Sequence, residues 1–193
     1  DWLASEFMAK GWSLKQLHRL IMTSETYRRA SKHPDVDQLA KLDSGGNSYA
    51  VFRPRRLAAE ELRDAMLAVT GELNRKPGGI PARPDMNLEA ALQPRMIMGT
   101  FAPSYVPDTK PAQRNRRSVY ALKLRGQRDP FMTTFNQPGP DKSCELRDSS
   151  NVTPQVFTLF NSDESADRAL AFAARVLKET KGDGEAVSRA FRL

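Results

Sequence analysis

Few side chains in this sequence do chemistry on their own. It has one cysteine, Cys144, and two histidines, His18 and His33. A thiol turns nucleophilic when a nearby cation lowers its pKa, and Cys144 lies in K-S-C-E-L-R, close to Arg147. The commoner role of such a residue is a small buried hydrophobe in a loop, and that is the expectation here. His18 and His33 are too far apart for a pair on one helix, and neither sits in an H-E-x-x-H pattern. His18, between Leu17 and Arg19, reads as a half-buried structural residue. No G-x-S-x-G, glycine-rich phosphate loop or C-x-x-C-H occurs. The N-V-T at 151–153 matches a glycosylation acceptor, a pattern that is common by chance. No catalytic, metal or cofactor-binding residue is therefore assigned, and no cofactor is expected for this chain.

The richer signal is a cluster of arginines and carboxylates. Arg53, Arg55 and Arg56 precede Glu60, Glu61, Arg63 and Asp64. Arg56 with Glu60 and Glu60 with Arg63 stand at helical pair spacing. The pattern places Arg55 and Arg56 at a helix start, where the dipole disfavours cations, so acids should compensate. Asp141 and Asp148 are the candidates. The same reasoning applies to Arg116 and Arg117. Internal ion pairing is the plainer reading, and an anion or partner site is the functional one.

The elements that must position these groups are mostly helical. A helix over 2–10 ends at Gly11. A second starts at Ser13, which has Gln16 in capping-box register, and runs to about 26 with Leu14, Leu17 and Ile21 inward. Residues 31–50 read as loop. A strong helix spans 55–70, with Leu62, Ala65, Met66 and Val69 as its stripe and Gly71 as its stop. Prolines dominate 74–116 and leave room for one short helix near 86–92. Such a stretch is a covering loop, a functional loop or disorder. Residues 117–124 alternate as one strand, with 49–53 as a poor partner. The 129–152 stretch is turn-rich. Thr153 then caps a helix whose first residue is Pro154, and Asn161 with Glu164 caps the next, over about 163–178. That helix buries Leu170, Ala173, Ala174 and Leu177, and a last one starts near 185. The expected fold is mainly α: one irregular helical domain over 1–193, with long Pro-rich loops and at most a small strand element. Its helical core is 2–26, 55–70 and 153–193, and its loop-rich region is 74–152.

A chain of 193 residues buries a core without staples. No stretch is apolar enough to span a membrane. The formal net charge of +7 suits an anionic partner. No aromatic ladder alternates with the arginines, so nucleic-acid binding rests on charge alone. A single cysteine, taken alone, reads as a reducing compartment. The sequence opens and stops within helical patterns, as a piece of a longer protein does.

Several separated motifs carry a resemblance. The chain opens D-W-L-A-S-E-F and continues G-W-S-L-K-Q-L-H-R-L-I. Then follow S-E-T-Y-R at 24–28, R-R-L-A-A-E-E-L-R-D at 55–64 and N-R-R-S-V-Y at 115–120. F-N-Q-P-G-P-D-K-S-C-E-L-R occupies 135–147 and S-N-V-T-P-Q-V-F-T-L-F-N-S occupies 150–162. In this order they resemble the planctomycete secreted C-terminal domain family, over nearly the whole chain. The resemblance implies export, upstream domains that often include a cytochrome-c-like module, and neighbouring sulfatase genes. It assigns no activity and no ligand residues. Asn136 stands where many relatives have Asp. The residues to examine are Arg55, Arg56, Glu60, Arg63, Asp64, Arg116, Arg117, Tyr120, Cys144 and Arg147. The expected function is a non-catalytic binding or scaffold module of an exported multidomain protein. The alternative is part of an extracytoplasmic enzyme acting on anionic or sulfated carbohydrate, and the expected partners are upstream domains of the same polypeptide or such a polysaccharide.

Overall fold

The structure is a computed structural model. It describes residues 1–91, 94–97, 100–103 and 105–193, with backbone only for 94–97 and 100–103. The fold is mainly α, as the periodicity predicts. The chain divides into two compact units, 1–55 and 56–193.

The first unit holds α1 (Trp2–Ala9), α2 (Leu14–Met22) and α3 (Val36–Leu42). Gly11, at φ 66, turns the chain out of α1, and Ser13 accepts from the Gln16 N–H to start α2. Helix α2 ends at Met22, short of 26, because the Thr23 and Ser24 hydroxyls donate back to the Arg19 and Ile21 carbonyls. Helix α3 lies inside the stretch expected to be loop. Asp35 supplies it with a cap, accepting from the Gln38 N–H at 2.8 Å. Among this unit's described residues none is buried. Leu17 and Leu20 are half-buried, whereas Leu14, Ile21 and His18 are exposed, contrary to the expectation for each.

The second unit is organised around α4 (Ala59–Thr70). Arg55 and Arg56 precede this helix instead of starting it. Its first turn is fixed from Ala58, whose N–H donates to Glu61 at 2.9 Å, so the unfavourable dipole contact does not arise. Gly71, at φ 78, ends it as expected. Short helices α5 (Leu88–Ala91), α6 (Pro111–Arg114) and α7 (Pro130–Thr134) punctuate the loop-rich region. Asp129 accepts from the Phe131 and Met132 N–H groups and so starts α7. The core joins Ala59 of α4 to Phe131, Met132 and Phe135, with Leu62 and Met66 packed against it.

The small strand element lies elsewhere than expected. Strands β1 (Pro94–Ile97) and β2 (Thr100–Pro103) form an antiparallel pair, with Pro94 opposite Pro103. Residues 92, 93, 98, 99 and 104, which fall within the expected loop and its short helix, lie outside the described residues. Ser118–Tyr120 is a 3₁₀ turn in place of a strand, because Asp64 accepts from both the N–H and the hydroxyl of Ser118 at 2.7 Å. Two isolated bridges survive from the expected strand, Ala82 with Ala121 and Leu124 with Gln127, and 49–53 forms none among the described residues.

Helices α8 (Thr153–Asn161), α9 (Asp163–Glu179) and α10 (Asp183–Arg192) close the unit. Their caps sit one residue from those expected. Val152 is the cap of α8, with Gln155 reaching back to its N–H, and Ser162 caps α9 through the Ser165 N–H. The inward face of α9 carries Ser165, Arg168, Arg175 and Val176. Arg175 donates to the Ala68 and Val69 carbonyls at the end of α4 and so sets the rotation of α9. Leu170, Ala173, Ala174 and Leu177 consequently face outward, the reverse of the expectation.

Gln155, 1% exposed, joins three segments. Its amide nitrogen donates to the Thr134 carbonyl at 3.0 Å, and its oxygen accepts from Arg56 at 2.7 Å. Gln155→Leu removes these bonds from a buried site, together with those to the Val152 N–H and the Ser150 hydroxyl. It should lower stability by about 2 kcal/mol, read as a shifted urea midpoint with unchanged slope.

Candidate functional site

Structure assigns partners to the charged residues that the sequence singles out. Glu60 accepts from Arg147 at 2.6 and 3.3 Å and from Gln137 at 3.3 Å, with the Lys123 ammonium 3.5 Å away. Burial is the largest single influence on the Glu60 carboxyl and pushes its pKa up. The Arg147 hydrogen bond and charge, a backbone N–H and the Gln137 amide act the other way, and the net effect holds the group below the usual glutamate value. Arg147 is half exposed, so this clamp on the 137–147 loop contributes modestly.

Arg63 has the opposite character. Its guanidinium is largely buried and donates to the Arg116 carbonyl at 3.0 Å, the Ser118 hydroxyl at 3.2 Å and the Arg114 carbonyl at 2.9 Å. Burial works against its charge, and Asp64 and Asp129 act the other way. Arg116 is 3% exposed. It donates to the Ile80 carbonyl at 2.7 Å and to the carbonyls of Lys76 and Gly78, and it stacks 4.5 Å over the Tyr120 ring. Arg117 is mostly exposed, with Nε 3.8 Å from Asp64. Arg55 is exposed and closes the first unit.

Two expectations are corrected. Asp141 and Asp148, proposed to compensate the basic pair, are exposed in the 141–148 loop, and Arg56 meets the neutral amide of Gln155. Cys144 is exposed instead of buried, its thiol 3.2 Å from the Leu146 carbonyl, because that loop lacks an apolar layer to cover it. Glu60, Arg63, Asp64 and Arg116 therefore form internal staples, while Arg55, Arg117 and Cys144 are exposed. Asp64 and Glu60 are both held by donors.

A ligand-sized hollow in the unit is a different place, which shares only Arg63 with that set. It has a volume of about 240 Å³ and lies between α4, the 85–88 segment and the start of α9. Met66, Leu67, Met86, Leu88 and Phe131 give it apolar walls. Asp85, Asp129, Asp163, Glu164 and Asp167 give it carboxylates, against the guanidiniums of Arg63 and Arg168. Both guanidiniums are engaged elsewhere, Arg63 as above and Arg168 with Glu72, while Asp85 pairs with Arg114 at 3.0 Å. Burial, with repulsion from Glu164, pushes the Asp129 carboxyl above the usual aspartate value, although the Met132 and Phe131 N–H groups pull it down. A smaller hollow of about 50 Å³ also borders Arg63 and Asp129 and is lined by Tyr105. The Tyr105 phenol is pushed well above its ordinary value by burial and by Asp129, and it donates to the Pro84 carbonyl at 2.7 Å. Among the described residues no group of three or more His, Cys, Asp and Glu is placed to hold a metal ion.

Sequence reasoning missed this cavity. Its traces were the D-P at 129–130, a cap before a helix, and the acidic D-E-S-A-D at 163–167. Both read as ordinary helix starts until the fold brings them together.

Fold and site define a mainly helical module built round one charged helix, with a small acid-bearing cavity beside it. The chain belongs to the PSD1 family, proteins of unknown function (DUF1553), whose sequence profile matches residues 1–193. No curated protein and no solved structure matches it.

A raised carboxyl pKa has a sign that can be tested. The protonated form is favoured by folding, so this contribution is complete below the unfolded value of about 3.9 and is lost as pH rises through the elevated folded value. Asp129→Asn keeps an oxygen for the α7 cap and removes the charge. The variant should equal or exceed the parent in stability at pH 7, by up to about 1 kcal/mol, and the difference should vanish near pH 3 in urea titrations.

Proposed function

We propose that this chain is a non-catalytic binding or scaffold module of a multidomain protein, covered on its C-terminal helices by other domains of the same polypeptide. The observation that carries the reading is the outward apolar stripe on each of those helices. Phe157 and Phe160 of α8, Leu170 and Leu177 of α9, and Val187 and Phe191 of α10 are each more than half exposed. Phe160 is 81% and Phe191 91% exposed, although both sit within regular helices. Helical spacing that presents large apolar groups to water is the pattern of a helix face awaiting a partner.

The choice of occupant draws on the resemblance, which supplies upstream domains in the same chain. Export to an extracytoplasmic compartment belongs to the same proposal. The alternative, an enzyme acting on anionic or sulfated carbohydrate, asks for unengaged cations around a cleft. The described cavity has the wrong sign for that, with five carboxylates against two guanidiniums.

Calorimetry between this chain and the separately produced remainder of its polypeptide tests the reading. Phe157→Asp with Phe160→Asp, and separately Leu170→Asp with Leu177→Asp, should each cost about tenfold or more in affinity. The exposed positions predict little change in the melting temperature of the chain alone. Undiminished affinity in both variants, or retention of a sulfated glycan at physiological salt in place of the upstream domains, would overturn it.

A further inference from the structure

We propose that the cavity between α4, the 85–88 segment and the start of α9 binds a small organic cation, an amine or amidine on a compact apolar body. This does not depend on the docking role above. The volume of about 240 Å³ has room for roughly eight waters, or for a ligand the size of a substituted benzene ring. The walls suit such a body. Met66, Met86, Leu88 and Phe131 present flexible and aromatic apolar surface.

Sign selects the charge. The protein as a whole is +7, yet this hollow is lined by five carboxylates and two guanidiniums. Both guanidiniums are turned to other acceptors, and Asp85 has its own arginine. The carboxylates of Asp163, Glu164 and Asp167 make no hydrogen bond or ion pair among the described residues. The positive end of α9 accounts for acids in its first turn. It does not account for Asp129, which comes from a different element, lies in the same hollow and is repelled by Glu164 there. One oxygen of Asp129 accepts the two N–H groups that start α7. Its negative charge is repelled by Glu164 and attracted by Arg63, and carboxylates outnumber guanidiniums in the lining. An ammonium or amidinium between Asp129 and the start of α9 would relieve that repulsion and find acceptors from two elements at once.

The test uses the whole chain, with benzylamine and benzamidine as probes and benzyl alcohol and benzoate as neutral and anionic controls. Amide chemical shifts are followed through the titration. The cations should give saturable shifts confined to residues 66–67, 85–88, 129–131 and 163–168, with benzyl alcohol at least about tenfold weaker and benzoate silent. Glu164→Gln with Asp167→Asn leaves the Ser162 cap of α9 intact and should weaken the cations about fivefold to tenfold without altering benzyl alcohol. Asp129→Asn should weaken them too while the protein stays as stable or gains stability, a combination that a merely structural role does not give. Equal binding of benzylamine and benzyl alcohol, shifts that do not saturate or lie outside the cavity, or cation affinity unaffected in both variants would overturn the assignment.

Discussion

Backbone carbonyls in a region without a sheet or a long helix need donors, and in this protein arginine side chains supply them. Every buried carbonyl left unmatched costs about as much as a lost hydrogen bond. The segments 74–82 and 108–122 run past one another with single bridges only, Asn74 with Arg116 and Ala82 with Ala121. Arg63 and Arg116 between them reach the carbonyls of Lys76, Gly78, Ile80, Arg114 and Arg116. Arg114 adds the Asp108 carbonyl, and Arg175 does the same for the last carbonyls of α4. A guanidinium has five N–H donors in a rigid fork, so one side chain can do what several rungs of a ladder do elsewhere.

This arrangement gives the positive charge a second meaning. An excess of arginine over acid usually points outward to an anionic partner. Here several of the arginines that make the excess point inward at neutral acceptors, which take up hydrogen bonds without cancelling charge. Carboxylates gather where α9 meets the 85–88 segment and line the cavity there. Helix α4 links the two features, since Arg63 belongs both to the staple and to the cavity wall.

Much of the scaffold is legible from the sequence. Gly71 after an apolar stripe marks the end of α4, and Ser13 with Gln16 marks the start of α2, because those signals are local. The family resemblance holds over 1–193 at the level of a family of unknown function. Other features depend on groups distant in sequence. The alternation at 117–124 is real, but Asp64 captures Ser118 and turns the chain into a 3₁₀ step. The stripe on α9 is real too, but Arg175 and Arg168 find acceptors on and after α4 and rotate the helix, so Leu170 and Leu177 point to water. In each case a polar contact overrides an apolar period. Composition carried no sign of the cavity, because its acids belong to separate helix caps.

The most direct measurement is native-state hydrogen exchange at 74–82 and 114–122 in the Arg63→Lys and Arg116→Lys variants. Lysine keeps the charge and loses the fork. Protection should fall locally in both segments, at least about tenfold, with α9 and α10 little changed. Protection equal to that of the parent protein in both variants would show that positive charge alone suffices, and would contradict the claim that arginine donors stand in for a sheet.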